Sequence, residues 1–171
     1  MLSRRNVLSV VVLLGVMSIS ATTMNAADEP KDLDKIPKPV MDTLKAKFPK
    51  AKIDKWSQEK EDGKVVYDIE FKVDGKKMEA DIAVDGTLLN YEKEINVKDL
   101  PRAVVEAVEK KYPHNTIKQV MEVTEIKDKK EVHGGFEIDL VTRDKKNVEL
   151  TVAKDGKILE DSTEKKEEKK S

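Results

Sequence analysis

Apolar residues return at two different spacings along this chain, and the switch between the spacings happens twice. In the first round, Val40, Met41, Leu44 and Phe48 fall three and four apart behind Pro37 and Pro39, and Pro49 follows. That spacing makes one apolar stripe on a helix. Proline suits the first helical turn, where its missing N–H costs nothing, and a later proline stops the helix. In the second round, Val104, Val105, Val108 and Tyr112 make the stripe, with Asp99 as the expected N-cap, Pro101 in the first turn and Pro113 at the end. Phe48-Pro49 and Tyr112-Pro113 are equivalent closures.

After each helix the period changes to two. A short strand is expected at 53–58, around Trp56, the only tryptophan. Val65, Tyr67, Ile69, Phe71 and Val73 then alternate with mostly polar residues, which puts those five on one face of a strand. Asp74-Gly75 is a tight-turn signal. Met78, Ala80, Ile82 and Val84 alternate toward the same core, Asp85-Gly86 turns the chain, and 87–91 returns as a strand. The second round gives strands at 117–126, then through Phe136, Ile138 and Leu140, then through Val148, Leu150 and Val152, with Ile158 and Leu159 last. Turns are expected at 144–146 and at Asp155-Gly156. The first hairpin of this round is longer, with a charged, solvated tip at 127–131 and a bulge at Gly134-Gly135.

The pattern predicts an α+β protein, a tandem repeat of one helix followed by about four antiparallel strands, each helix packed on one sheet face. The units run over 36–95 and 99–160, with 96–98 as the link. A lone unit of this size would bury only about 60% of its chain surface, so two units sharing a sheet or packing together would be safer. The opposite sheet face carries Asp68, Glu70, Lys72, Glu79, Asp81, Glu137, Asp139, Glu149 and Thr151, and is expected to be wet.

The ends read differently. Arg4 and Arg5, the apolar run that follows, and Met24-Asn25-Ala26-Ala27-Asp28 have the layout of a secretory signal peptide over 1–27. The run is shorter than the ~20 residues of a membrane span. The arginine pair also fits a twin-arginine signal, although the Val- and Leu-rich run favours general secretion. A flexible lead-in is expected over 28–35 and a charged, disordered tail over 161–171. The expected location is therefore periplasmic or secreted, with no stable membrane span after cleavage.

Composition narrows the chemistry. The 171 residues are 39% charged and 4% aromatic, with a formal net charge of −1. Cleavage would remove Arg4 and Arg5 and bring the charge to about −3, which argues for neither nucleic acid nor anionic lipid. There is no cysteine, so no disulfide or thiol chemistry. Past the leader the serines are Ser57, Ser162 and Ser171, and the histidines are His114 and His133. No spacing joins a nucleophile to an oriented base, and no catalytic residue is assigned. Two distant histidines make no zinc site. The Asp-Gly pairs resemble fragments of calcium loops without EF-hand spacing and read as turn chemistry. Asp68/Glu70 and Glu137/Asp139 imitate the paired carboxylates of glycosidases, but alternation places charges there anyway. No metal or cofactor is expected. Trp56 and Tyr91 are the candidate binding residues, weighed against plain core packing, since aromatic anchors are enriched at interfaces.

These residues carry a resemblance. The helix closing on Tyr/Phe-Pro, the strand Phe136-Glu137-Ile138-Asp139-Leu140, and 148–159 ending in Asp155-Gly156-Lys157-Ile158-Leu159 are similar to PepSY-like domains of bacterial envelope proteins, which are also described as resembling the β-lactamase-inhibitor protein. The first round resembles them through 67–71 and 78–89. The resemblance implies an exported, non-catalytic binding module that presents a sheet surface to a protein or peptide. The alternatives are an inhibitor or regulator of a secreted peptidase and, less favoured, a small hydrolase.

Overall fold

The computed structural model describes residues 32–61 and 63–163. The expected signal peptide, residues 28–31 of the expected lead-in and residues 164–171 of the expected tail lie outside the described residues. A 3-10 turn, Leu33–Lys35, opens the chain within the stretch expected as flexible. Helix α1 (Lys38–Lys47) and strands β1 (Lys52–Glu61), β2 (Lys64–Val73), β3 (Lys76–Ala83) and β4 (Leu88–Glu94) follow. A second 3-10 turn, Val97–Asp99, leads to α2 (Arg102–Lys111). Strands β5 (Thr116–Lys127), β6 (Lys130–Val141), β7 (Asn147–Val152) and β8 (Ile158–Asp161) complete the described elements.

The strands form one eight-stranded antiparallel sheet in chain order. This corrects the expected fold class: the molecule is a single open sheet carrying two helices, mostly β, and not two tandem helix-plus-four-strand units. The joint is β4 on β5, with Asn90 opposite Glu125, Glu92 opposite Val123 and Glu94 opposite Met121. Separate sheets would each leave a row of backbone donors and acceptors unpaired at these strands, and pairing satisfies both rows at once. The hydrophobic pattern records which face of a strand is buried and carries no record of which strand lies beside it.

Both helices cover the same kind of residue. Val40 and Leu44 of α1 pack on Tyr67, Ile69, Phe71, Met78, Ala80 and Ile82. Val104 and Val108 of α2 pack on Val120, Phe136, Ile138, Leu140 and Leu150, among others. Each fully buried Leu, Ile or Phe contributes about 1.5–3 kcal/mol, so these clusters are the main source of stability. Phe48 closes α1 with its N–H donating to the Leu44 carbonyl at 2.7 Å, and its ring lies 4.9 Å from Phe71 and 5.4 Å from Tyr91. Tyr112 closes α2 through the Val108 carbonyl at 2.8 Å.

The two Asp-Gly turns after β3 and β7 do more than reverse the chain. Each lies against the first turn of a helix. A Cβ on Gly86 would come within 2.9 Å of the Pro39 carbonyl oxygen, and one on Gly156 within 2.5 Å of the Ala103 carbonyl oxygen. Both glycines also have positive φ, 88° and 87°, so two constraints exclude a side chain.

Several local expectations change. Pro101, not Asp99, is the N-cap of α2, because Asp99 belongs to the preceding 3-10 turn. Val84 and Val105 are 43% and 41% exposed. Val84 follows the end of β3, and Val105 lies off the buried stripe of α2. The tip between β5 and β6 is a two-residue turn with Asp128 and Lys129 both at positive φ, and Gly134 is the extra residue of a bulge, since Gly135 faces Val123 and His133 faces Thr124.

Candidate functional site

Because strand side chains alternate, every residue pointing at a helix has neighbours pointing away. On the face away from the helices, acidic side chains meet across strands. Asp68 lies opposite Asp81, and Glu70 opposite Glu79. Glu79 in turn lies opposite Glu92 on β4, and Asp139 lies opposite Glu149 on β7. Directly opposed side chains in an antiparallel pair are about 5 Å apart, and like charges there are destabilising.

Cations relieve part of the face, and Lys127 pairs with Glu125 on β5. Lys55 Nζ sits 2.9 Å from Glu70 Oε1, and Lys77 Nζ 2.7 Å from Glu79 Oε1. Asn90 donates its Nδ2 hydrogen to Asp81 Oδ2 at 2.9 Å, and Ser57 Oγ lies 3.5 Å from Asp68 Oδ2. Among the described residues, Asp68, Asp81, Glu92 and Glu137 have no ion-pair partner. Glu59 Oε1 and Glu92 Oε2 are shut off from water and have no hydrogen-bond partner at all. Glu92 as a whole is half-buried, and its Oε2 is shut off from water.

The face is less wet than expected. Asp68 is only 9% exposed, and Val66, Ala83 and Met121, which share this face, are buried although neither α1 nor α2 lies on it. Burial then dominates the titration of the acids. It pushes Asp68 up to about 7, helped by the charges of Asp81, Glu79 and Glu70 and opposed by Lys55. It pushes Asp81 up to about 6, opposed by the Asn90 hydrogen bond. Glu92 and Glu137 go higher still, through burial first and then through each other's surroundings: Glu79 and Asp81 act on Glu92, and Glu92 and Glu149 act on Glu137. Burial also raises Asp139, while Lys77 holds it down.

A protonated carboxyl in a hollow can donate as well as accept. The cluster can therefore bind by exchanging a proton for a cation or a donor. It could serve as acid or base only beside a reacting group. Ser57 is next to Asp68. His114 lies in the turn after α2, where its N–H donates to Glu109 Oε1 at 3.1 Å. His133 is on β6 against Phe136, 3.5 Å from Glu122 Oε1. These residues come from separate places. No group of three or more His, Asp or Glu side chains among the described residues is placed to hold a metal ion.

Trp56 lies opposite Ile69 on the helix side of edge strand β1, half-buried against the core, its ring 6.0 Å from Tyr67. Tyr91 lies on that same side. Phe48 meets it edge-on, Lys47 Nζ sits 5.1 Å from its ring centroid, and its hydroxyl donates to Glu131 Oε2 at 2.9 Å. Lys47 also pairs with Glu131, so the β5–β6 tip, expected to be free, clasps the end of α1. The structure brings neither aromatic to the carboxylate face. Sequence reasoning found Asp68, Asp81, Glu137 and Asp139 on that face but missed Glu59, Glu92 and Met121. Asn90, Glu92 and Glu94 alternate, and that signal could have extended the face onto β4.

No family model matches the chain, and no curated protein matches its sequence. Solved structures do share the fold. A BLIP-like protein from Bacteroides fragilis is 25% identical with a TM-score of 0.54, over 74% of this chain and 85% of that one. A DUF2874 family protein from Bacteroides uniformis is 16% identical with a TM-score of 0.56, over 73% and 87%. A protein from Bacteroides eggerthii, named for a proposed periplasmic location, is 15% identical with a TM-score of 0.58, over 74% and 87%. The fold is thus BLIP-like. No described helix is long and apolar enough to cross a membrane.

Proposed function

We propose that this protein is an exported, non-catalytic binding module, and that the sheet face away from the helices docks a protein or peptide partner in the envelope. The observation that carries the reading is the retained strain of that face: like-charged pairs across β2, β3 and β4, and a carboxylate oxygen of Glu92 buried without a partner. Core packing gains nothing from such groups, and folding is opposed by them. A partner that covers the face would supply what they lack. Export is supported by the leader-like sequence over 1–27 and is in keeping with the periplasmic name of the Bacteroides eggerthii neighbour. A PepSY-like identity rests on the Tyr/Phe-Pro and Asp-Gly signals.

A photo-crosslinking amino acid placed at Thr151, on the carboxylate face, and at Lys45, on the exposed side of α1, tests the reading in intact cells. Specific adducts from Thr151 and none from Lys45 are expected. Adducts from Lys45 alone would reject the face. A second reading, inhibition or regulation of a secreted peptidase, is favoured by the BLIP-like name of the Bacteroides fragilis neighbour. Pure protein that leaves every secreted peptidase at full activity would remove it.

A further inference from the structure

We infer that the occupant of this face is an extended, lysine- or arginine-bearing segment of another protein, laid across the strands so that its cationic heads meet Asp68, Asp81, Glu92 and Glu137. The inference rests on the docking reading above and adds the partner's chemistry.

Three observations converge. The first is charge. The face gathers carboxylates from β1 through β7; Lys55 pairs with Glu70, Lys77 with Glu79 and Lys127 with Glu125, while Asp68, Asp81, Glu92 and Glu137 have no ion-pair partner among the described residues. The second is the pair of buried oxygens, Glu92 Oε2 and Glu59 Oε1, that have no hydrogen-bond partner and are closed off from water. A buried carboxylate in that position gains most from an incoming N–H donor. The third is extent. Asp68 is on β2 and Glu137 on β6, four strand spacings apart in the sheet. At about 4.8 Å each, that is roughly 19 Å, the reach of about six extended residues. Alternate side chains of such a segment face one way, so about three cations would meet the row. A single ion reaches one or two of these groups.

Binding is tied to protons. Around Glu92 stand Glu79 and Asp81 from β3 and, further off, Glu149 and Asp68, with Val123 beside it on β5. Around Glu137 stand Glu92, Glu149, Glu79 and Asp139, with Met121 beside it on β5. Among the cations, Lys77 acts on Asp139 and Lys55 on Asp68. Buried and crowded by these acids, Glu92 and Glu137 hold protons at neutral pH. An arriving ammonium or guanidinium favours their ionised forms and expels the protons. Affinity therefore rises with pH, about tenfold per pH unit for each proton released.

The test uses isothermal titration calorimetry on the protein with a capped hexapeptide alternating Lys and Thr, a matching Glu and Thr peptide, spermidine and calcium chloride. The cationic peptide should bind, bind at least tenfold more tightly at pH 8 than at pH 6, and release protons when buffers of different ionisation enthalpy are compared. The Glu peptide should not bind, and D68N/E92Q/E137Q should lose binding at least tenfold. That variant should fold, because it removes charges that oppose folding. Absence of peptide binding, equal binding by the variant, or equally tight binding of spermidine or calcium would overturn the inference. If Thr151 crosslinks to a partner segment without Lys or Arg, the docking reading stands and this inference falls; if only Lys45 crosslinks, the docking reading itself has failed.

Discussion

Replacing Asp68 with asparagine should make the protein more stable at pH 8 and leave it nearly unchanged at pH 4. Asp68 is 9% exposed, lies opposite Asp81, and has Glu70 and Glu79 close by. Its carboxyl goes from 3.8 in an unconstrained chain to about 7 in the fold. Between those values the folded state keeps a proton that the unfolded state has lost. Stability falls with pH wherever the native state binds more protons, so the loss begins above pH 4 and is complete once pH passes 7. About three pH units at roughly 1.4 kcal/mol each come to about 4 kcal/mol. Part of this returns through adjustment of Asp81, which is raised by the same burial, so a gain of about 2–4 kcal/mol is expected in D68N at pH 8. Urea unfolding at half-unit steps from pH 4 to pH 8 measures it. A variant less stable than the parent at pH 8, or a difference that does not change with pH, would refute the reasoning.

Other perturbations probe other parts of the fold. Leu44→Ala, at a position 1% exposed under α1, should cost about 2–5 kcal/mol in urea unfolding. Gly156→Ala should destabilise clearly more than Gly75→Ala: both have φ near +85°, but only Gly156 has a carbonyl oxygen 2.5 Å from the new Cβ, while Gly75 has open space. Left-handed backbone alone costs about 1–2 kcal/mol, and the excess in Gly156→Ala measures the clash with α2. Asp161, 3% exposed, accepts from Tyr112 at 2.7 Å and from Lys111 at 3.0 Å. Burial works against its charge, but hydrogen bonds from Thr163, Tyr112 and Lys111 outweigh it and hold its carboxyl below the usual value. Asp161→Asn should cost about 1–3 kcal/mol at pH 7, and thermal melts should show the difference shrinking as pH falls below the usual carboxylate range and through the lowered folded-state value.

Much of the local structure could be read directly. The stripe through Val40 and Leu44 and the alternation through Tyr67, Ile69 and Phe71 are burial patterns, and burial is what a hydrophobic sequence records. The acidic positions at Asp68, Asp81, Glu137 and Asp139 could be placed on one face for the same reason. The pairing of β4 with β5 could not. Glu92 lies opposite Val123, and its charge acts on Glu137, only because β4 joins β5, and backbone hydrogen bonds leave no mark on residue type. Nor could protonation. A carboxylate on an uncovered face reads as solvated until the neighbouring strands are known to crowd it with like charge. Tyr91 shows the same limit: its partner Glu131 is 40 residues away, on a hairpin tip that looks free in sequence.

On this open sheet face burial leaves Glu92 and Glu137 protonated at neutral pH and Asp68 near its midpoint. Carbon-13 NMR titration of the Asp and Glu side-chain carboxyls reads this residue by residue. Asp68 should titrate at about pH 7, with Glu92 and Glu137 following at higher pH. Titration of all three below pH 5 would show a solvated, fully charged face and contradict the account.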